Sequence, residues 1–307
     1  MALFQNHVGF NLTKSKLQLV EVNFNDMNFV LENADEEFFP DFIEPEVKET
    51  KLISVLRAAF NSIQLNKPIN SKFSSFLLPY DFFKIVSIPF DNTLLDKDLT
   101  ELIKWEFSVL YPHLNSNDFI IRHAKIEDST ILKNNNIIFY ALEKRIIRII
   151  DKFAKSNNLK IKFIDNVHLA ANLTIFSAKD YNKNQNSISI YLTEEAVHFM
   201  VLEGTNPVFA KSFPYQNIQE IIGAVKNAFG SLKQANIDSN VIHKAYIFTD
   251  SVTENIIDQI RTKLNLDLIR LSPFDNITQS ESVKNNQLLQ RKLLTFTSPL
   301  GIVLRLE

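Results

Sequence analysis

Three groups of side chains in this 307-residue sequence are of types that do chemistry. Glu194 and Glu195 are adjacent carboxylates, the pairing used for acid–base work when burial raises one pKa. They fall in a predicted turn, where nothing would raise it. Lys14 and Lys16 sit in a predicted hairpin turn and are of the type that contacts phosphate, yet lysines in such turns are ordinarily solvated, and we expect these to be. His7, His113, His123, His168, His198 and His243 are scattered, with no two at the spacing that puts ligands on one helix face. No metal site is expected. Cysteine is absent, which removes disulfides, thiolate nucleophiles and zinc ribbons. Glycine is scarce, with 5 residues where ordinary usage gives about 21. Loops that cradle phosphate depend on glycine for positive φ and close backbone approach. No P-loop, glycine-rich dinucleotide fingerprint or nucleophile-elbow spacing occurs.

The rest of the composition, 45% hydrophobic with 26 phenylalanines and 22% charged, suits a globular protein with a large core. Lys and Arg number 33 against 35 Asp and Glu, a net charge of −2 with no basic run, which argues against nucleic acid. The densest charge is acidic, over residues 32–49, with Asp35, Glu36, Glu37, Asp41, Glu44 and Glu46 around Phe38 and Phe39. Such a stretch reads as a solvated loop. The first residues lack basic and apolar regions, and no run approaches the roughly 18 apolar residues of a spanning helix, which predicts a cytoplasmic protein.

Positioning falls to alternating elements. Period-2 alternation marks strands at 7–11, 17–23 and 27–32. A helix at 47–65 carries Leu52, Val55, Leu56, Ala59, Phe60 and Ile63 at helical spacing, and strands follow at 73–78 and 83–89. The helix at 95–111 puts Leu99, Leu102, Ile103, Val109 and Leu110 on one stripe and stops at Pro112. Strands at 119–126 and 136–142 close a strand-helix-strand-strand unit. Helix 143–156, strand 160–164 and helix 167–177 come next. The opening order then returns, with strands 187–192, 196–203 and 206–213, helix 218–234, strand 243–248, helix 252–264 and a strand near 266–271. The same β-β-β-α-β-α order thus occurs twice without close sequence identity, which predicts two related lobes facing a cleft.

Three stretches carry a family resemblance. VGFNLTKSKLQLVEV, residues 8–22, is similar to the first phosphate strand pair of the actin-like proteins of the PilM, FtsA and GspL group. IPFDNTLLDKDLTELIKWEFSVLYP, residues 88–112, resembles the helix of that group's small inserted subdomain, including the Trp105-Glu106 pair and the closing Tyr-Pro. Residues 138–173 and then 188–214 keep the group's order. The resemblance implies an α/β chain of the actin-like, ribonuclease H-like class: duplicated β-β-β-α-β-α lobes with a strand-helix-strand-strand insert. The first lobe would take 1–79 and 143–184, the partner-binding insert 80–142, and a reduced second lobe 185–307. The second lobe is reduced because the group's further subdomain has no room between Pro214 and Ile218.

The nucleotide positions depart from the group's pattern. Asn11-Leu12-Thr13-Lys14 stands where the group's first phosphate loop reads Asp-Ile-Gly-Ser. Tyr191-Leu192-Thr193 replaces Asp-Ile-Gly in the second loop, and Asp250-Ser251-Val252 replaces the glycines that approach adenosine. Aspartate holds the metal and its water, while glycine lets backbone N–H groups reach oxygens that a Cβ obstructs. The β-branched Thr13, Thr193 and Val252 make positive φ costly. Ser251 and Glu254 have the spacing of a capping box for the next helix. The expectation is a pseudo-ATPase with no catalytic residues, no cofactor and no metal.

The function implied by the resemblance is a non-enzymatic scaffold on the cytoplasmic face of a type IV pilus or type II secretion assembly. Its partner would be a short cytoplasmic segment of a membrane-anchored assembly protein, held in a channel between the insert and the first lobe. The alternative is an ATP-binding actin-like ATPase with altered loops. Phe82, Phe83, Trp105 and Phe107 are the partner-binding candidates, although aromatic residues on an amphipathic helix are more often core. A membrane-tethered, self-assembling relative would end in a basic amphipathic helix. Residues 298–307 read instead as a short apolar helix with Pro299 in its first turn. Homo-oligomerisation is left open.

Overall fold

Strand β1 (Asn6–Leu12) is buried from His7 onward, as expected of an apolar strand with neighbours on both edges and layers on both faces. The computed structural model to which it belongs describes residues 6–25, 28–127, 129–177, 181–204, 206–250 and 254–305. After β1 come β2 (Lys16–Asn25), β3 (Asn28–Phe38), α1 (Glu49–Asn66) and β4 (Phe73–Leu78). The insert contains β5 (Phe83–Pro89), α2 (Asp96–Leu110), β6 (Phe119–Ile126) and β7 (Asn136–Glu143). The chain returns through α3 (Lys144–Ser156), β8 (Lys160–Asn166) and α4 (Val167–Leu173). The second half runs β9 (Asn186–Leu192), β10 (Ala196–Glu203), β11 (Asn206–Pro214), α5 (Ile221–Gln234), β12 (Lys244–Thr249), α6 (Glu254–Leu264) and β13 (Leu268–Ile269). It closes with β14 (Thr278–Gln279), α7 (Glu281–Lys284), α8 (Gln287–Lys292) and α9 (Thr297–Val303).

The duplication predicted from element order is present in the sheets. One has the order β14-β3-β2-β1-β4-β8 and the other β11-β10-β9-β12-β13. In both, a strand pairs antiparallel with the hairpin that follows it and parallel with a later strand, as β1 does with β2 and β4 and β9 with β10 and β12. The first core is aromatic: Phe10 stacks on Phe76 at 4.9 Å and Phe153 meets Phe60 edge-on at 5.5 Å. The insert adds a sheet of order β5-β7-β6 under α2.

Three sequence expectations are corrected. Residues 32–38 are strand, not solvated loop, because β3 runs on to Phe38 and pairs with β2 along its length. On α2 the buried stripe is Leu99, Ile103 and Phe107, one face of the helix at i, i+4 and i+8, while Val109 is 54% and Leu110 47% exposed. Burying such a stripe is worth about 1.5–3 kcal/mol per side chain. The insert also packs on the second sheet, since Ile126, Ile131 and Ile138 join its core and the Ser129 hydroxyl donates to Glu203 at 2.9 Å. Residues 273–305, assigned by order to the second lobe, pack on the first sheet: β14 extends it beside β3, and α9 buries Leu300, Ile302 and Val303 against Val20, Val22 and Leu77.

Scarce glycine has a counterpart at the helix ends. Asn158, Asn236 and Asn265 follow α3, α5 and α6 with φ of 56°, 55° and 50°. The next residue in each case, Leu159, Ile237 or Leu266, donates its N–H back to Ala154, Leu232 or Arg261. Asparagine is the second choice for this left-handed cap, and here it takes the place of glycine three times. Gly204, with φ of 63°, makes the one such turn among the described glycines.

Candidate functional site

The two β-hairpins that the duplication aligns face each other across the cleft between the sheets. In the β1–β2 turn the Thr13 N–H donates to the Lys16 carbonyl at 2.9 Å, and the N–H groups of Ser15 and Lys16 donate to Thr13 Oγ1 at 3.2 and 2.9 Å. The β9–β10 turn repeats the pattern, with Thr193 N–H to Ala196 O at 3.1 Å and the N–H groups of Glu195 and Ala196 on Thr193 Oγ1 at 3.4 and 3.1 Å. Each threonine hydroxyl therefore accepts from two of its turn's amides. Satisfied amides have no anion to attract.

The Lys14 ammonium lies between the turns. It meets Glu195 at 2.7 Å, Glu44 at 3.0 Å and Asp81 at 3.1 Å, so one cation ties the second lobe's hairpin to the acidic segment and to the start of the insert. Burial works against that charge, but the hydrogen bonds with Glu195 and Glu44 and the charge of Asp81 outweigh it and hold the Lys14 pKa above its ordinary value. Burial pushes the Asp81 carboxyl up, with Lys14 acting the other way. Lys16 is also inside, 7% exposed, paired with Glu36 at 2.9 Å and donating to the Asp250 carbonyl at 3.0 Å. Burial of Glu36 is overcome by hydrogen bonds from Lys292 and Lys16, which hold its pKa below the usual carboxylate range. The expectation of two solvated lysines is thus overturned, because carboxylates distant in sequence converge on both.

The sequence-derived nucleotide positions are brought together but are tied to one another. Asn11 Nδ2 donates to Gln18 at 2.9 Å. The Tyr191 hydroxyl donates to Asp250 Oδ2 at 3.3 Å and accepts from Ser298 at 3.2 Å. Ser251 and Val252, and with them the capping box, lie outside the described residues. The cavity left between Thr13, Lys14, Tyr80, Glu195, His198 and Asp250 has a volume of about 80 Å³. Pockets for organic ligands span roughly 300–1,000 Å³. Among the described residues this cavity is smaller than a nucleotide needs, and we derive no step through one. Among the described residues no group of three or more His, Asp or Glu side chains is placed to hold a metal.

Of the partner candidates, Phe82 and Phe83 belong to the first core and Phe107 to the core beneath α2, so none presents a surface. Trp105 is 60% exposed. Sequence reasoning missed Glu44 and Asp81 as partners of Lys14. The signal available was the opposite charge on two matching turns, Lys14 after Thr13 and the Glu194-Glu195 pair after Thr193.

Lys14→Ala should lower stability by about 1–2 kcal/mol, since it leaves three carboxylates facing one another, discounted because they are partly solvated. Urea titration checks this. An unchanged midpoint would mean that solvent already screens the cluster.

Solved structures resemble the chain across nearly all of its length, two of them as follows. The PilM-PilN type IV pilus biogenesis complex matches with a TM-score of 0.70 and 13% identity, covering 97% of this chain and 98% of that chain. A Bacteroides thetaiotaomicron protein with an actin-like ATPase fold and unknown function matches with a TM-score of 0.51 and 13% identity, covering 95% and 96%. This chain has the actin-like ATPase fold. Its two sheets are the duplicated halves of that fold, and the Lys14 cluster lies in the cleft between them. No protein-family model and no curated protein matches the sequence. Among the described residues no helix is long and apolar enough to cross a membrane.

Proposed function

We propose that this actin-fold protein is a non-enzymatic scaffold, held closed without nucleotide, that binds a segment of a membrane-anchored protein in a pilus or secretion assembly. The observation that carries the reading is Lys14, whose ammonium occupies the space between the two hairpins and pairs with carboxylates from three parts of the chain. A built-in cation does there what a metal–phosphate complex would otherwise do: it draws two lobes together through charge. The overall likeness to the PilM-PilN complex supports the assembly role.

Thermal melting tests both halves of the proposal. Added Mg-ATP at millimolar concentration should leave Tm unchanged, whereas the cytoplasmic segment of the membrane protein encoded beside this one should raise it. A ligand that binds only the native state stabilises it by about 2.7 kcal/mol at a hundredfold excess over Kd and so raises the midpoint. A shift of several degrees with Mg-ATP would overturn the non-enzymatic reading in favour of an ATPase with altered loops.

A further inference from the structure

The inserted subdomain has an open strand edge. β6 pairs with β7 through all 8 of its residues, and among the described residues its other edge has no strand partner. Its side chains are largely exposed. Unpaired edges of this length attract other strands unless they are blunted. A groove of about 460 Å³ follows this one. Phe119 and Ile121, on the face that α2 covers, line it together with Arg122, which alternation places on the opposite face. A groove lined from both faces runs along the edge itself.

The charge in the groove is of one sign. Its lining includes Lys104, Arg122, His123 and Lys144 and no carboxylate. Of the acids nearby, Glu101 is taken by Lys104 at 3.0 Å and Asp96 by Lys125 at 2.9 Å. Asp118 is exposed in the turn before β6. Lys144 donates to the Asn117 carbonyl at 2.6 Å, and among the described residues neither it nor Arg122 has a carboxylate in ion-pair reach.

We infer that the outer edge of β6 receives an extended acidic segment of the partner as a fourth strand. The inference rests on the partner-binding reading above and adds its place and chemistry. Main-chain pairing along the edge supplies affinity for any extended chain. Carboxylates facing Arg122 and Lys144 select an acidic one, while its alternate apolar side chains lie beside Phe119 and Ile121.

The test is fluorescence anisotropy with a labelled octapeptide that alternates glutamate and valine, against its lysine counterpart, at low salt. The glutamate peptide binds and the lysine peptide does not. The double variant Arg122→Glu with Lys144→Glu weakens binding at least tenfold, about 1.4 kcal/mol. Both side chains are exposed, so the variant should melt like the wild type. Methylating one alternate set of peptide amides abolishes binding and methylating the other set leaves it, because only one edge of an added strand pairs. Equal binding of the two peptides, indifference to charge reversal, or equal effects of the two methylated sets would overturn the inference. Capture of the native segment separates the two levels. A segment held equally by wild type and double variant overturns the groove but not the scaffold, and a segment held by neither overturns the scaffold while the peptide series still judges the groove.

Discussion

Gly301→Ala should destabilise the protein by about 3 kcal/mol, the upper end of ordinary overpacking. A Cβ at Gly301 would lie 1.9 Å from the backbone carbonyl oxygen of Ala170, where α9 crosses α4. A backbone atom in a packed core cannot swing aside as a flexible side-chain tip can. Gly9 on β1 is the matching site, since a Cβ there would lie 2.5 Å from the Pro299 carbonyl. The two glycines let α9 lie directly on β1 and α4. Gly223 and Gly230, exposed on α5 with nothing within 4 Å of an added Cβ, provide the contrast. Alanine at either should stabilise by about 0.5–1 kcal/mol through helix propensity and lower unfolded-state entropy. Urea titration of the four variants decides the matter. A Gly301→Ala midpoint close to that of Gly223→Ala would show that α9 is not seated as described.

Acidification from pH 7 to pH 5 should remove stability, with His7 and His198 together contributing a loss of about 4 kcal/mol. His7 and His198 are buried and neutral, hydrogen-bonded to Ser75 at 2.8 Å and Ser212 at 2.7 Å. Burial, opposed by a Val303 backbone hydrogen bond and reinforced by Lys162, lowers the His7 pKa to about 4. Burial and the charge of Lys14 lower that of His198, stacked 3.9 Å from Tyr80, to about 3. His168, bonded to Ser189, is depressed by burial in the same direction.

With the folded pKa below the unfolded value near 6.5, the unfolded chain binds more protons throughout that interval. Stability is therefore lost as pH falls from about 6.5 toward the folded values, by about 2 kcal/mol at pH 5 for each of His7 and His198. Glu21, Asp81 and Asp165, whose carboxyls burial pushes up, act in the opposite sense as they gain protons in the native state. Glu36, held low by its lysines, adds to the loss as pH falls through the ordinary carboxylate range toward its lower folded value. Urea midpoints at the two pH values measure the difference. Equal midpoints would show that these imidazoles titrate as in the unfolded chain.

Much of the fold was legible in the sequence because its signals are local. The hairpin at Thr13 and its counterpart at Thr193 stand out by period-2 alternation on either side, and β4, β5 and β6 have the bounds that the pattern predicts. The order β-β-β-α-β-α, read twice, already implied paired sheets. The left-handed caps at Asn158, Asn236 and Asn265 are also written locally, as asparagine just past each helix. The absence of glycine and aspartate from the positions that the resemblance aligns with nucleotide loops was readable residue by residue.

Partnership at long range belonged to the tertiary structure. Lys14 is an ordinary turn lysine until folding brings up Glu195, 181 residues away, together with Glu44 and Asp81. Glu36 looked like one charge in an acidic loop, and only the pairing of β3 with β2 buries it between Lys16 and Lys292. The scarcity of glycine was a sequence fact, but why Gly9 and Gly301 remain was not, because the need for a missing Cβ is set by α9 arriving from the far end of the chain. Backbone periodicity is enforced by neighbours along the chain and survives in the sequence, whereas ion pairs and close approaches are enforced by neighbours in space, which the sequence names only after it has folded.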